Sequence, residues 1–188
     1  PVASEPQLAS NLAWLGIARE EGCAVACGGE RAALTVSALK MPPSGPFAAL
    51  TVKDKSVVER VAISDDLSKS DRVVMESFAQ QQIDGSAYWR YWLPGEAERG
   101  VYKVKVTLYT TNSAAEASWM KRYPPMALQG TESLDVGAVS FHLPDRIAGF
   151  RFDRALVEVK AEGSADALPA FTKAYARFVG DQLATADR

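Results

Sequence analysis

Histidine and cysteine are scarce in this sequence of 188 residues, which has one histidine, His142, and two cysteines, Cys23 and Cys27. A Ser-His-Asp hydrolase would have to use His142, yet no Gly-x-Ser-x-Gly motif surrounds any serine. Two cysteines and one histidine cannot complete a tetrahedral zinc site without a carboxylate. We therefore predict no catalytic residues, no metal site and no cofactor. An enzyme with a carboxylate or thiol site stays an alternative.

Motifs for nucleotides and calcium are also missing, since neither a phosphate-binding glycine loop nor an EF-hand spacing occurs. The 21 basic and 23 acidic residues are scattered, and the formal net charge is −2. Such a distribution indicates no cluster of positive charge that would attract the phosphates of a nucleic acid, so we expect no nucleic-acid partner. No apolar stretch approaches the roughly 20 residues that span a bilayer, so we expect no transmembrane segment.

The beginning of the chain is small and polar and starts with Pro1 rather than methionine. We expect that a signal peptide has been removed and that the protein is periplasmic or secreted, although a leader added for expression would look the same. On a helical turn, Cys23 and Cys27 would have Cα atoms about 6 Å apart, within disulfide reach. We predict a structural disulfide between them, with two free thiols or a redox dithiol as alternatives.

Apolar spacing predicts three helices. The first runs from Leu8 to Ala26, and a capping box at Ser113–Glu116 begins a short second helix that ends near Tyr123. The third is an amphipathic C-terminal helix that begins near Asp166. Its apolar stripe consists of Leu168, Phe171, Tyr175, Phe178 and Val179.

Alternation of apolar and polar residues predicts strands in most of the sequence outside these helices. The clearest is Val101–Thr111, where Lys103 and Lys105 lie on the polar side that an antiparallel sheet commonly exposes. Asp84-Gly85 predicts a two-residue turn, and the shift of apolar phase at Asp153-Arg154 predicts a hairpin turn or a bulge. Further strands are predicted at 32–39, 47–53, 57–63, 72–78, 86–93 and 137–143.

This order of elements favours an α+β fold with a mainly antiparallel sheet. The chain has an N-terminal helix, a short middle helix and a C-terminal amphipathic helix, and strands do not alternate with long helices as they do around a parallel sheet. We predict one domain over residues 1–188, with a possible subdomain boundary near residue 112. A β-sandwich-like region over 32–111, followed by an α+β half, is the alternative.

Five residues form an aromatic strand, Tyr88-Trp89-Arg90-Tyr91-Trp92, and are the candidate ligand-binding residues. Trp89 and Tyr91 would share one face with Leu93, while Tyr88, Arg90 and Trp92 would share the other. Such a strand is either part of the core or a stacking platform for sugar rings with Arg90 as its polar group.

The functional prediction is an exported, non-enzymatic domain that binds a protein partner or a small ligand. A carbohydrate-binding or envelope-associated module that uses the aromatic strand is the second hypothesis. Exposure of Trp89 and Trp92 distinguishes the two, because a stacking platform needs rings that a ligand can reach.

Overall fold

The structure, a computed structural model, describes residues 34–94, 99–144, 146–162 and 166–186. Six antiparallel strands and three α-helices lie within these ranges. The strands are β1 Thr51–Glu59, β2 Ile83–Leu93, β3 Arg99–Tyr109, β4 Val139–Leu143, β5 Ile147–Phe152 and β6 Ala155–Ala161. The helices are α1 Lys69–Gln80, α2 Asn112–Arg122 and α3 Leu168–Ala186, with 3-10 turns at Val36–Leu39, Gly45–Phe47 and Pro125–Leu128.

The predicted α+β fold with an antiparallel sheet, a middle helix and a C-terminal helix is confirmed. The predicted helix at 8–26 and the pair Cys23 and Cys27 lie outside the described residues. The described strands form one sheet rather than two packed sheets, so the sandwich-like alternative is wrong for this part of the chain. None of the described helices, including the 19-residue α3, has an apolar stretch that could cross a bilayer.

The sheet has the order β1-β2-β3-β6-β5-β4, so two three-stranded meanders meet where β3 pairs with β6. The two-residue connection Asp153-Arg154 joins β5 to β6, which confirms the hairpin turn, and Asp153 takes a φ of +48° there. Because β3 pairs with β6, one sheet includes strands from both sides of residue 112. That all 188 residues form one domain stays a prediction.

One face of the sheet carries the main core, and α3 covers it. The inward residues of β3 and β6 are apolar and, apart from the half-buried Ala161, buried, as the alternation in β3 predicts. Phe171 of α3 stacks on Tyr102 with 4.1 Å between ring centroids. The hydroxyls of Tyr91 and Tyr175 donate to the backbone carbonyls of Met41 and Leu39, at 2.7 and 2.6 Å, and so attach the first 3-10 turn and its following residues to this core.

The opposite face is covered on one part by α2. The helix begins where the Thr111 hydroxyl accepts the Ala114 N–H at 3.1 Å, and Trp119 is buried against Phe141 and Leu156. The neighbouring part of this face, on β1, β2, β3 and β6, carries exposed or half-buried side chains. We call that part the open face.

The prediction of a strand at 72–78 is wrong, because these residues belong to α1. The Ser68 hydroxyl accepts the Asp71 N–H at 3.1 Å and caps the helix. The short apolar run Val73-Val74-Met75 fits either period, and of these three residues only Met75 is buried. The cap, the buried Met75 and the partly buried Phe78, which packs against the apolar cluster around Trp119, decided in favour of a helix.

Four other predictions about the first half of the chain are wrong. Residues 36–39 form a 3-10 turn instead of a strand, because the Glu59 carboxylate accepts the N–H groups of Val36 and Ser37 at 3.1 and 2.9 Å. The predicted strands at 47–53 and 57–63 are replaced by the single strand β1. Asp84-Gly85 is not a turn but lies inside β2, where Gly85 passes close to Val36.

Candidate functional site

The aromatic strand is β2, and its two faces are those that the sequence predicts. Trp89 and Tyr91 are completely buried in the core face, so a ligand cannot reach them and the core interpretation is correct for these two residues. Tyr88, Arg90 and Trp92 are half-buried on the open face.

Cations of the protein itself contact the Trp92 ring. The Arg90 guanidinium lies 4.0 Å and the Lys53 ammonium 4.7 Å from its centroid. Its indole Nε1 is buried and has no hydrogen-bond partner in the described structure. Because the π-face attracts these cations, the ring acts here as a support for positive charge rather than as an unoccupied stacking surface.

Around Arg90, four basic residues face one another across four adjacent strands. Lys53 on β1 pairs with Arg90 on β2, Arg90 with Lys103 on β3, and Lys103 with Lys160 on β6, each as direct Cα partners. Adjacent strands lie about 4.8 Å apart, so the four positions span about 14 Å. We call this set the basic row.

The basic row is expensive to form, since like charges directly opposite each other destabilise a sheet. One carboxylate, Glu162, offsets part of the repulsion by accepting hydrogen bonds from Arg90 Nε and from Lys103 Nζ, the latter at 2.6 Å. Burial raises the pKa of Glu162, but the hydrogen bonds from Lys103 and Arg90 outweigh it and hold the pKa below its usual value. The bond to Glu162 in turn raises the pKa of Lys103, which keeps that ammonium protonated.

A fifth cation, Lys105, lies beside the row on β3. Its cross-strand neighbour Glu158 is already engaged by Arg122 at 2.5 Å and by the Tyr123 hydroxyl. Burial, followed by the bond to Glu158, raises the pKa of Tyr123. Lys105 and Lys160 are exposed, and no acidic side chain of the described residues lies within ion-pair distance of either. The open face is therefore locally positive on a chain whose formal net charge is −2.

His142 lies on the edge strand β4 and is buried. Its Nδ1 is 3.8 Å from a Glu132 carboxylate oxygen, and neither ring nitrogen has a hydrogen-bond partner in the described structure. Within the ranges given above, no three His, Cys, Asp or Glu side chains are grouped so that they could hold a metal ion.

Sequence reasoning placed Arg90 among the candidate ligand-binding residues but missed the importance of Lys53, Lys160 and Glu162. It placed Lys103 correctly on the polar side of β3, yet interpreted that side as an ordinary solvated surface. No signal in the sequence could have joined these residues, because only the pairing of the strands puts them in one row.

Comparison of the chain with protein-family models, with curated proteins and with solved structures found no match. The geometry and charge of the open face are therefore the basis for assigning a function.

Proposed function

We propose that this protein is a non-enzymatic binding domain that holds an anionic partner on the open face of its sheet. The basic row is the observation that carries the proposal. Placing four cations opposite one another costs free energy in the free protein, and an anion bound across them would relieve that repulsion. Complementary charge of this kind supplies specificity and a fast association rate.

The chemistry of these side chains favours binding over catalysis. Arginine does not lose its proton in proteins, and the bond to Glu162 raises the pKa of Lys103 further. Neither group is therefore suited to act as a general base near neutral pH. The cations over the Trp92 ring likewise favour recognition of charge over stacking on neutral sugar rings.

An exported location belongs to the same proposal, together with a disulfide between Cys23 and Cys27. Titration of thiols in denatured protein, before and after reduction, tests the disulfide. We expect two thiols only after reduction, and two reactive thiols in the unreduced protein would contradict the bond.

The main test is the double substitution Lys105→Gln/Lys160→Gln, because both side chains are exposed and their loss leaves the Glu162 pairs in place. The probes are tripolyphosphate, dextran sulfate and poly-L-glutamate, with binding followed by titration calorimetry. Each exposed ion pair contributes about 0–1 kcal/mol, so we expect the affinity to fall roughly 3- to 10-fold. Higher salt should weaken binding to the native protein, because it screens exposed charges.

The matched control is Lys69→Gln/Lys173→Gln, which removes the same charge from exposed positions on the helices α1 and α3 rather than from the strands of the open face. It should bind the probes as the native protein does, apart from the small effect of net charge. Equal affinities of the two double variants for every probe would overturn the proposal.

The substitution Glu162→Gln should change the affinity in the opposite direction. It removes the carboxylate that competes with a bound anion for Arg90 and Lys103. We expect a few-fold tighter binding of the same probes, because the partly buried carboxylate no longer competes with them for these two cations. Weaker binding by a variant with a native circular dichroism spectrum would count against competition at these two cations.

A further inference from the structure

We infer that the anionic partner is an acidic segment of polypeptide that lies along the basic row. This inference rests on the proposed function and specifies the class of its ligand. It combines three properties of the open face: the raised helix beside it, the occupied aromatic ring and the length of the row.

The first property is that α2 rises above the surface of the sheet beside the open face. The Arg122 and Tyr123 side chains, at the end of this helix, bond to Glu158, which lies two residues before Lys160 on the same strand. A helix with its side chains is about 10 Å thick, so α2 stands above the neighbouring sheet surface. A bilayer is flat on this scale and would meet the helix first, whereas a single extended chain can lie beside it on the row.

The second property is that the long exposed side chains of the open face are charged, whereas its two aromatic rings on β2, Tyr88 and Trp92, are half-buried. Single-stranded nucleic acids are held by aromatic rings on which bases stack, in addition to a basic groove. Here Trp89 is buried in the core, and Lys53 and Arg90 lie over the Trp92 ring. An acidic polypeptide, in contrast, can be bound through ion pairs with the cations alone and needs no aromatic ring on which to stack.

The third property is length. Extended polypeptide advances about 3.4 Å per residue and places alternate side chains on one side. A Glu-x-Glu-x-Glu segment therefore spreads three carboxylates over about 14 Å, which is the span of four strands. The segment would set its acidic side chains against the basic row and its intervening side chains towards solvent.

The experiment uses the full chain and a fluorescent 12-residue peptide with a central Glu-Ser-Glu-Ser-Glu segment. The comparison probes are the same peptide with glutamine for glutamate, an oligothymidylate of 12 nucleotides, and vesicles of phosphatidylcholine with 30 mol % phosphatidylserine. At 50 mM salt we expect the acidic peptide to bind at least 10-fold more tightly than each comparison probe. Lys105→Gln/Lys160→Gln should weaken its binding 3- to 10-fold relative to Lys69→Gln/Lys173→Gln.

The outcomes separate this inference from the proposed function. Tighter binding of the oligonucleotide or the vesicles than of the peptide, weakened by Lys105→Gln/Lys160→Gln, would overturn the acidic polypeptide and leave an anion-binding open face. Equal binding of the glutamate and glutamine peptides would also overturn it. Failure of every anionic probe, or binding that is insensitive to both double variants, would overturn the inference and the proposed function together.

Discussion

Close contacts of single residues fix the path of the chain where it crosses the sheet. A Cβ added to Gly85 would lie 2.6 Å from a Glu59 carboxylate oxygen and 2.8 Å from a Val36 methyl carbon. Glu59 cannot move away without losing the hydrogen bonds that the backbone N–H groups of the first 3-10 turn donate to its carboxylate. The glycine is therefore required by close packing and not, as the Asp84-Gly85 pattern suggests, by a turn.

Gly85→Ala should destabilise the protein by about 1–3 kcal/mol, because the added methyl group overpacks a contact that involves a fixed carboxylate. The neighbouring Ser86→Ala, which faces the other side of the sheet, serves as the control and should change stability by less than about 0.5 kcal/mol. Urea unfolding followed by circular dichroism measures both. If Gly85→Ala were as stable as the native protein, the first 3-10 turn would have to be able to shift away from the added methyl group.

Glu162→Gln also tests the charge balance of the basic row through the pH dependence of stability. The folded pKa of Glu162 lies below its ordinary value, so its contribution is present above the ordinary value and is lost as pH falls through the folded pKa. The native protein should therefore lose more stability between pH 6 and pH 3 than the glutamine variant does. Glu76→Gln, exposed on α1, is the control for the loss of one carboxylate. Parallel curves for native and Glu162→Gln proteins would contradict the lowered pKa.

At the scale of elements, the helices depend on caps and on one apolar side each. The Ser68 and Thr111 side chains each accept one orphan N–H group in the first turn, from the third residue of α1 and of α2. In α1 the cap is joined by little burial, because Met75 is the one fully buried residue and Phe78 is partly buried against the apolar cluster around Trp119. A β-branched run in the sequence therefore forms a helix without a wide buried stripe.

Ser68→Ala should destabilise the protein by about 1 kcal/mol, because it leaves the Asp71 N–H without its side-chain acceptor. Ser44→Ala is the matched control, since Ser44 precedes a 3-10 turn without donating or accepting a side-chain cap bond. Chemical denaturation measures the difference. Equal losses in the two variants would show that the Ser68 cap adds nothing to the stability of α1.

At the scale of the described fold, aromatic rings hold the sheet, α3 and the first 3-10 segments together. Phe171 has its ring centroid 4.1 Å from that of Tyr102, 5.1 Å from that of Tyr91 and 5.2 Å from that of Phe47. It thereby joins β3, β2 and the 3-10 turn at 45–47 to the helix. The basic residues of the open face lie on the other side of the sheet, away from this aromatic core.

Phe171→Ala should cost about 3–5 kcal/mol, because a large ring with no exposed surface leaves a cavity that three separate elements would have to close. Lys173→Ala, exposed on the same helix, is the control for helix propensity and should change stability little. Urea unfolding at pH 7 measures both. A loss as small as that of the control would mean that α3 is not held to the sheet through this ring.

The sequence by itself determined the features that depend on neighbours along the chain. These are the antiparallel α+β composition, the two faces of β2 and β3, the break in apolar phase at Asp153-Arg154, and the two later helices. The pairing of β5 with β6 decided that this break is a hairpin and not a bulge. Tertiary structure alone decided that 36–39 forms a 3-10 turn under Glu59 and that Lys53, Arg90, Lys103 and Lys160 share one row. The helix at 72–78 depends on both scales, since its Ser68 cap is local and the burial of Met75 is tertiary. The physical reason is that the periodicity of a strand is local, whereas its register is set by contacts with strands that are distant in the sequence.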